Sequence, residues 1–199
     1  MSGKENKEFS TCGLAAARWF SHVNHVAAPL AMRHWLTDQH SLTLKLKERC
    51  HRFRVQPLAQ RPAMPLADEF GEIALPRRMM VQERDVFLRC DERPMVFGHT
   101  IVPLTATTAD WPFFGSLGSR SLGTTLFGDP RVWRGRLEFA RLGSRHPLVL
   151  RALAALPDES QKEWQKELND PLFARRCLYR RNKGLLLVTE VFLPGIETI

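Results

Sequence analysis

One carboxylate in an otherwise apolar run is the first group in this sequence that could do chemistry. Glu190 lies within Leu185 to Leu193, where Thr189 is the only other polar residue, between Gly184 and Pro194. Such a run is typical of a strand buried on both faces. An ionised carboxylate there costs several kcal/mol unless it is paired or hydrogen-bonded. Glu190 is therefore a candidate site residue, and an ion pair with one of the arginines is the structural alternative.

Arginines supply the candidate anion-binding groups. Arg84 begins a predicted strand, and Arg175 and Arg176 precede the last predicted hairpin. The planar guanidinium suits bidentate recognition of carboxylate or phosphate. Taken alone, however, Arg84 would be a solvated charge, and we expect Arg175 and Arg176 to form surface ion pairs. Residues 121–123, Ser-Leu-Gly, offer backbone N–H groups at a predicted helix start, which is an anion-binding geometry.

The composition is that of a globular protein with an excess of arginine. The chain has 199 residues, 44% of them hydrophobic and 25% charged, and a net charge of +8. It contains 22 Arg and 7 Lys. The arginines are spread along the chain, without a helix-turn-helix, zinc-finger or RNP pattern. The charge therefore permits either a small anion or a polyanion as the ligand.

The sequence lacks the motifs of several classes of protein. The chain has no Walker loop, GxGxxG or nucleophile elbow, and its seven histidines lack metal-site spacing. We therefore expect no metal site, and the motifs support neither the binding of ATP or a dinucleotide nor a serine hydrolase. The four cysteines are far apart and predict free thiols. No apolar run approaches the roughly 18 residues of a membrane span, and residues 1–10 form a polar, mobile tail without a signal sequence, so we expect a cytoplasmic protein.

The order of the elements predicts an α+β fold in a single domain, residues 11–199. Its main feature is a mostly antiparallel sheet of about six strands with helices and flap loops. A helical insertion is expected at about 143–170. The predicted elements are an Ala-rich helical run at 13–20, helices at 28–38, 42–49 and 121–127, strands at 51–60 and 131–142, hairpins at 84–103 and 173–194, and helices at 146–156 and 158–168.

Two of these elements have a particular bearing on the site. Residues 42–49 favour a helix, although their alternation also fits a strand. The Pro-rich connection 61–76 predicts a loop or flap, and long loops in compact domains often act as lids over sites.

Three stretches, taken in order, resemble the chorismate pyruvate-lyases. They are Arg84-Asp-Val-Phe-Leu with Gly98-His-Thr-Ile-Val-Pro103, then Leu117-Gly and Ser121-Leu-Gly-Thr-Thr-Leu-Phe127, then Ala174-Arg-Arg-Cys with Leu-Leu-Val-Thr-Glu-Val-Phe-Leu-Pro194. The resemblance runs from about Trp35 to Pro194, and its last stretch is the most specific. These enzymes make 4-hydroxybenzoate and pyruvate from chorismate for ubiquinone synthesis.

The resemblance implies a monomeric, cofactor-free enzyme with flaps over a buried site. Arg84 would grip the ring carboxylate with help from the backbone N–H of Leu122. Glu190 would face the 4-hydroxyl end of the ring, and Leu42 would line the pocket, where the family often has Met. Arg84 and Glu190 are thus the expected catalytic residues. Glu190 would act either as a general base or only as part of a site that holds the substrate for an internal hydrogen transfer.

The sequence also departs from the family pattern. The usual Arg before Thr-Val-Val-Pro is His99, the usual Ser after the arginine pair is Cys177, and the stretch 143–170 is longer than in compact members. Two other functions stay open. The fold of these lyases is similar to the small-molecule-sensing domains of certain bacterial repressors, so the chain could be a non-catalytic binder of an aromatic acid. An RNA-binding protein is the third alternative, which predicts strongly salt-dependent binding.

Overall fold

The fold is a six-stranded sheet in which every neighbouring pair is antiparallel. The computed structural model describes residues 16–75, 79–157, 160–162, 164 and 171–199; the predicted tail 1–10 lies outside them. The strands are β1 (Phe53–Ala63), β2 (Val81–Cys90), β3 (Arg93–Pro103), β4 (Val132–Leu142), β5 (Leu172–Arg181) and β6 (Gly184–Phe192), in the spatial order β1-β2-β3-β6-β5-β4. The predicted α+β fold and both predicted hairpins are confirmed.

Four short α-helices lie entirely within the described residues, and residues 160–162 and 164 are also helical. The four are α1 (Leu30–Leu36), α2 (Leu42–Lys47), α3 (Leu122–Gly128) and α4 (Pro147–Ala154), with 3₁₀ turns at Val23–Val26, Leu104–Ala106, Phe114–Ser116 and Ile196–Thr198. The structure decides the alternative at 42–49 in favour of a helix. Leu42 and Leu46, one helical turn apart, are buried while Leu44 is 54% exposed, whereas a strand would turn all three to one face. Among the described helices, none has the length and apolar character needed to cross a membrane.

The two faces of the sheet carry different layers. One face packs against α1, α2 and α3 through residues such as Leu36, Leu46 and Leu126. The opposite face packs against α4, whose Leu148 and Val149 are buried. Because side chains alternate along a strand, each strand contributes to both layers. α4, the first helix of the predicted insertion, is thus part of the core. Residues 158–159, 163 and 165–170 lie outside the described chain.

Three local expectations were wrong. Residues 16–19 are not helical, and Phe20 instead makes an isolated bridge to Phe139 in β4. β1 continues to Ala63, into the segment that predicted a flap. The connection that follows packs on the α4 face, where Glu69 contacts His99, and so it does not cover the α1–α3 face. Proline is tolerated in β1 because this strand lies at the edge of the sheet.

The cysteine expectation also needs correction. Cys50 and Cys90 form a disulfide, with Cα atoms 5.4 Å apart, and Cys177 is free. Cys50 follows α2 and Cys90 ends β2, and the two segments also meet where the Asp91 carboxylate accepts a 2.7 Å hydrogen bond from Arg52 N–H. A separation of 40 residues gives no sequence signal for this pairing.

A cluster of charged side chains lies buried on the α4 face. His99 Nδ1 lies 2.5 Å from Asp85 Oδ1, and His99 Nε2 lies 3.2 Å from Glu69 Oε1. Arg151 from α4 contacts Glu83 at 2.8 Å and Asp85 at 3.4 Å. Glu83, Asp85 and His99 are close enough to share a metal ion. However, arginine already neutralises both carboxylates, so the group is better explained as an ion-pair cluster.

The cluster fixes the protonation states of its members. Burial alone would lower the pKa of His99, but the Glu69 charge and the hydrogen bond with Asp85 raise it to about 10. Burial alone would raise the pKa values of Glu69 and Asp85, and interactions with His99 instead bring both below their usual range. His99 is therefore a buried cation at neutral pH, and it links the connection after β1 to the sheet.

We expect His99→Gln to lower the free energy of unfolding at pH 6 by about 3–5 kcal/mol, because it leaves buried carboxylates without their cation. The wild type should lose stability as pH rises from about 6.5, the pKa of an unfolded His, to about 10. One proton gives a slope of at most about 1.4 kcal/mol per pH unit.

Urea unfolding at pH 6 and 9 measures both effects, with the exposed His51→Gln as the matched control. The difference between wild type and His99→Gln should shrink at pH 9. Parallel curves for the two proteins would contradict the assignment of His99 as the titrating cation.

Candidate active site

A cavity lies between the sheet and the helices α2 and α3. Strands β1 to β6 all contribute to it, and so does the segment before α2. The apolar part of the wall comes from Val86, Leu88 and Val188 on the sheet and from Leu126 on α3. The other lining residues, polar and apolar, are His40, Leu42, Thr43, Val55, Arg84, Gly98, Thr100, Ser121, Leu122, Gly123, Phe127, Arg134, Leu137, Arg175, Cys177, Tyr179 and Glu190. The cavity is thus apolar with a few polar groups, as ligand sites usually are.

Arg84 is a buried cation whose partners are neutral. Its side chain is 2% exposed in β2, and Nη2 donates to the carbonyl oxygens of Gly118 at 2.8 Å and Arg120 at 3.2 Å. Burial lowers the pKa of Arg84 to about 10, so it stays charged at neutral pH. Its Nε is buried without a hydrogen-bond partner, and in the described part of the chain Arg84 makes no ion pair. This charge is available to an anion in the cavity.

Glu190 is held by Arg175 from the neighbouring strand. Arg175 is 2% exposed, and its Nε lies 2.5 Å from Glu190 Oε2. Its Nη1 donates to three carbonyl oxygens at the end of α1: Trp35 at 3.0 Å, Leu36 at 3.3 Å and Asp38 at 2.8 Å. The pair therefore fixes one carboxylate oxygen of Glu190 and ties α1 to the sheet. The expectation that Arg175 forms a surface ion pair was wrong.

Arg176 is buried as well, but on the opposite face. It lies 2.7 Å from Glu138 Oε2 and 2.9 Å from Glu72 Oε1. Alternation along β5 separates the two neighbours, so that only Arg175 reaches the cavity. The same alternation places His99 on the α4 face, while Gly98 and Thr100 line the cavity. The His99 departure therefore lies outside the cavity, whereas Cys177 lines it.

The helices α2 and α3 meet over the cavity. Leu42 and Leu122 are the first residues of these helices, and both line it. Thr43 Oγ1 and Ser121 Oγ share a hydrogen bond of 2.6 Å across the junction. Gly123 lies against the same junction, where a Cβ atom would meet Ser41 Oγ at 3.4 Å. The two helices thus form a joined cover over the sheet.

The β4–β5 side of the cavity carries Arg134, Cys177 and Tyr179. Burial raises the pKa of the Tyr179 hydroxyl and of the Cys177 thiol, so both are neutral at pH 7. Arg134 donates from Nη1 to the carbonyl of Gln39, and its guanidinium lies 5.2 Å from the centre of the Phe127 ring. This side therefore adds a third arginine and a neutral phenol.

The structure brings the four residues named from the sequence, Leu42, Arg84, Leu122 and Glu190, into this one cavity. The inward position of Arg175 was not predicted, although the sequence contains a signal for it. The turn pairs Arg181 with Gly184, and counting back from it places Arg175 opposite Glu190. Tyr179, four residues after Arg175 on the same strand, faces the cavity by the same alternation. Arg134 had no such signal, because the register of β4 is irregular between Arg134 and Leu137.

Chemically, the site combines cations, one carboxylate and apolar walls. It suits a small, ring-shaped anion, with cationic groups for its acidic substituents and a carboxylate that could accept a proton. In the described residues, Arg134 and Arg84 make no ion pair, so the cavity holds more positive than negative charge. A neutral ligand would leave these charges unmatched.

Two solved structures of one protein, PhnF, have the same fold. The effector domain of PhnF from Mycobacterium smegmatis matches with a TM-score of 0.50 and 11% identity, covering 79% of this chain and 90% of that domain. The longer PhnF structure gives a TM-score of 0.51 over 79% of this chain and 65% of that one, again at 11% identity. At such low identity the likeness establishes the fold alone.

Relatives in sequence are much closer. A probable chorismate pyruvate-lyase of Cupriavidus metallidurans is 45% identical over 186 residues, 92% of this chain and 82% of that protein. Another from Ralstonia nicotianae is 46% identical over 81% of this chain and 80% of its own length. A third, from Nitrosomonas eutropha, is 40% identical over 89% and 95%, respectively. The sequence model of the family named chorismate lyase matches residues 14–198, and the chain therefore belongs to the chorismate lyase family of enzymes.

Proposed function

We propose that this protein converts chorismate to 4-hydroxybenzoate and pyruvate without a cofactor. The observation that carries the proposal is the joint presence of an unneutralised Arg84 and an arginine-held Glu190 in one covered cavity. As the family resemblance implies, the product would serve ubiquinone synthesis, and the enzyme would act as a monomer in the cytoplasm.

The ring carboxylate of chorismate would bind at Arg84. The Arg84 side chain is fixed by the carbonyls of Gly118 and Arg120, so little conformational freedom is lost when an anion binds. Leu122 opens α3, and the first N–H groups of a helix have no acceptor within the helix. The Leu122 N–H would add a second donor to the same carboxylate. Leu42, at the start of α2, would pack against the ring.

The chemical step is an elimination that makes the ring aromatic. The C3–O bond to the enolpyruvyl group breaks, and the hydrogen on C4 is lost. The leaving group gains one hydrogen and becomes pyruvate, so the atoms balance as one chorismate to one 4-hydroxybenzoate and one pyruvate. Aromatisation supplies the driving force. The protein has to hold the reactive conformer and stabilise the charge that develops during the step.

Two routes for the C4 hydrogen remain distinct hypotheses. In the first, Glu190 accepts it as a proton, and Arg175 fixes the direction of the carboxylate. In the second, the hydrogen passes directly to the methylene carbon of the enolpyruvyl group through a six-membered cyclic transition state. Glu190 then only positions the 4-hydroxyl end of the ring.

The second candidate function is a non-catalytic sensor of an aromatic acid. The likeness of the fold to the PhnF effector domain favours it. A sensor needs the same cation for the ring carboxylate but has no use for a base. The two functions therefore differ in what the carboxylate of Glu190 does once the ligand is bound.

We expect purified protein to form 4-hydroxybenzoate from chorismate without added metal or cofactor. The ultraviolet absorbance of the product measures the reaction. Arg84→Ala should lower kcat/KM by about 30-fold or more, because losing one partner of a buried charge pair costs about 2–5 kcal/mol. Glu190→Gln, which keeps the shape, should lower kcat about 100-fold or more if Glu190 is the base.

The exposed Arg93→Ala serves as the control for loss of one positive charge. A silent wild type that still binds 4-hydroxybenzoate would establish the sensor and exclude the lyase. Activity that survives Arg84→Ala unchanged would contradict the assignment of the carboxylate site.

Chorismate deuterated at C4 separates the two routes. The internal route predicts that the label appears in the methyl group of pyruvate, as measured by mass spectrometry. Proton abstraction by Glu190 predicts unlabelled pyruvate, because a carboxylic acid exchanges its proton with water. Label retained in the Glu190→Gln product would show that this side chain only positions the substrate.

A further inference from the structure

The cavity contains one more unpaired cation than a single ring carboxylate requires. Three arginines line it, and the carboxylate of Glu190 neutralises Arg175. Arg84 and Arg134 make no ion pair with any described residue. Unpaired charges in an enclosed site are costly, so they indicate where charges on the ligand belong. Two such cations predict a ligand with two acidic groups.

Arg134 is only half-buried but shares two features with Arg84. Its Nε is buried without a hydrogen-bond partner, and its Nη1 donates to a backbone carbonyl, that of Gln39. Its guanidinium lies over the Phe127 ring, with 5.2 Å between Cζ and the ring centre. Carbonyl and ring hold the side chain in place but do not neutralise it. A guanidinium held in this way can still receive a carboxylate.

The topology places the two cations on opposite sides of Glu190. Arg84 lies on β2 and Arg134 on β4, and the strands β3, β6 and β5 run between them. Glu190 belongs to the central one of these three, β6. A substrate whose acidic groups reach both cations would therefore extend across Glu190. The atoms between its two acidic groups would lie near that carboxylate.

We propose that Arg134 binds the carboxylate of the three-carbon side chain of the substrate. This inference rests on the proposed function, in which chorismate carries one carboxylate on the ring and one on the enolpyruvyl group. Arg84 takes the first and Arg134 the second. The bond that breaks lies between these anchors, so Arg134 also stabilises the negative charge on the departing enolpyruvate.

The assignment separates the substrate from the aromatic product. Chorismate would contact both cations, whereas 4-hydroxybenzoate has one carboxylate and would contact only Arg84. Removing the Arg134 charge should therefore affect the substrate and leave the affinity for the aromatic product unchanged. A merely structural role in the cavity wall would affect both ligands alike. The test therefore measures whether the loss of the Arg134 charge affects the substrate alone or both the substrate and the aromatic product.

The test compares Arg134→Gln with Arg136→Gln, an exposed arginine on the same strand. We expect Arg134→Gln to raise KM and lower kcat/KM for chorismate by about 10- to 100-fold, the value of a charged hydrogen bond. The dissociation constant for 4-hydroxybenzoate, from calorimetric titration, should stay within about twofold of wild type. Arg84→Ala should weaken both, and Arg136→Gln neither.

Arg134→Lys keeps the charge but loses the planar fork, so KM for chorismate should lie between those of wild type and Arg134→Gln. If Arg134→Gln does not fold, this variant decides the matter, and a KM equal to that of the wild type overturns the proposal. Unchanged KM in a folded Arg134→Gln overturns it too, as does an equal loss of affinity for substrate and product.

A wild type that does not turn over chorismate would contradict the proposed function, but the role of Arg134 in binding could still be tested. Chorismate then stays intact during titration, and its dissociation constant can be measured directly. A weaker dissociation constant in Arg134→Gln, with 4-hydroxybenzoate unaffected, would support the second carboxylate site in a sensor. Equal dissociation constants in the two proteins would reject it.

Discussion

The ion pair between Arg175 and Glu190 is the interaction on which the site depends. The two residues face each other across β5 and β6, and the same guanidinium binds three carbonyls at the end of α1. The Glu190 carboxylate can occupy a mostly apolar strand because this cation lies beside it. The pair therefore sets the direction of the carboxylate and ties α1 to the last hairpin.

Alternation along the strands lets the sheet carry two separate sets of charges. The cavity face has Arg84 and Glu190. The α4 face has Asp85, the residue after Arg84 on β2, and His99, its partner on β3. The α4-face charges neutralise one another and hold the connection after β1. The cavity face keeps a surplus of positive charge. Stability and ligand binding can thus be changed independently, because the backbone of the sheet lies between the two sets.

Much of this arrangement could be predicted from residue patterns. Both hairpins are predicted by alternation and by the turn residues. Glu190 is a candidate because an unpaired carboxylate within an apolar strand is destabilising. The prediction that the connection 61–76 covers the site was wrong, because proline content predicts irregular structure but not which face of the sheet a loop covers. The Cys50–Cys90 pair and the position of Arg134 depend on tertiary packing and on the irregular register of β4, neither of which leaves a local signal.

The partners of each arginine indicate what it does in this fold. Four arginines are buried among the described residues, and three of them, Arg175, Arg176 and Arg181, contact carboxylates. Arg84 is held by carbonyl groups alone. A carboxylate partner cancels the charge, whereas a carbonyl dipole orients the guanidinium and leaves most of its charge for a ligand. The function of a cavity in this fold thus depends on which charges face it and which of them are already paired.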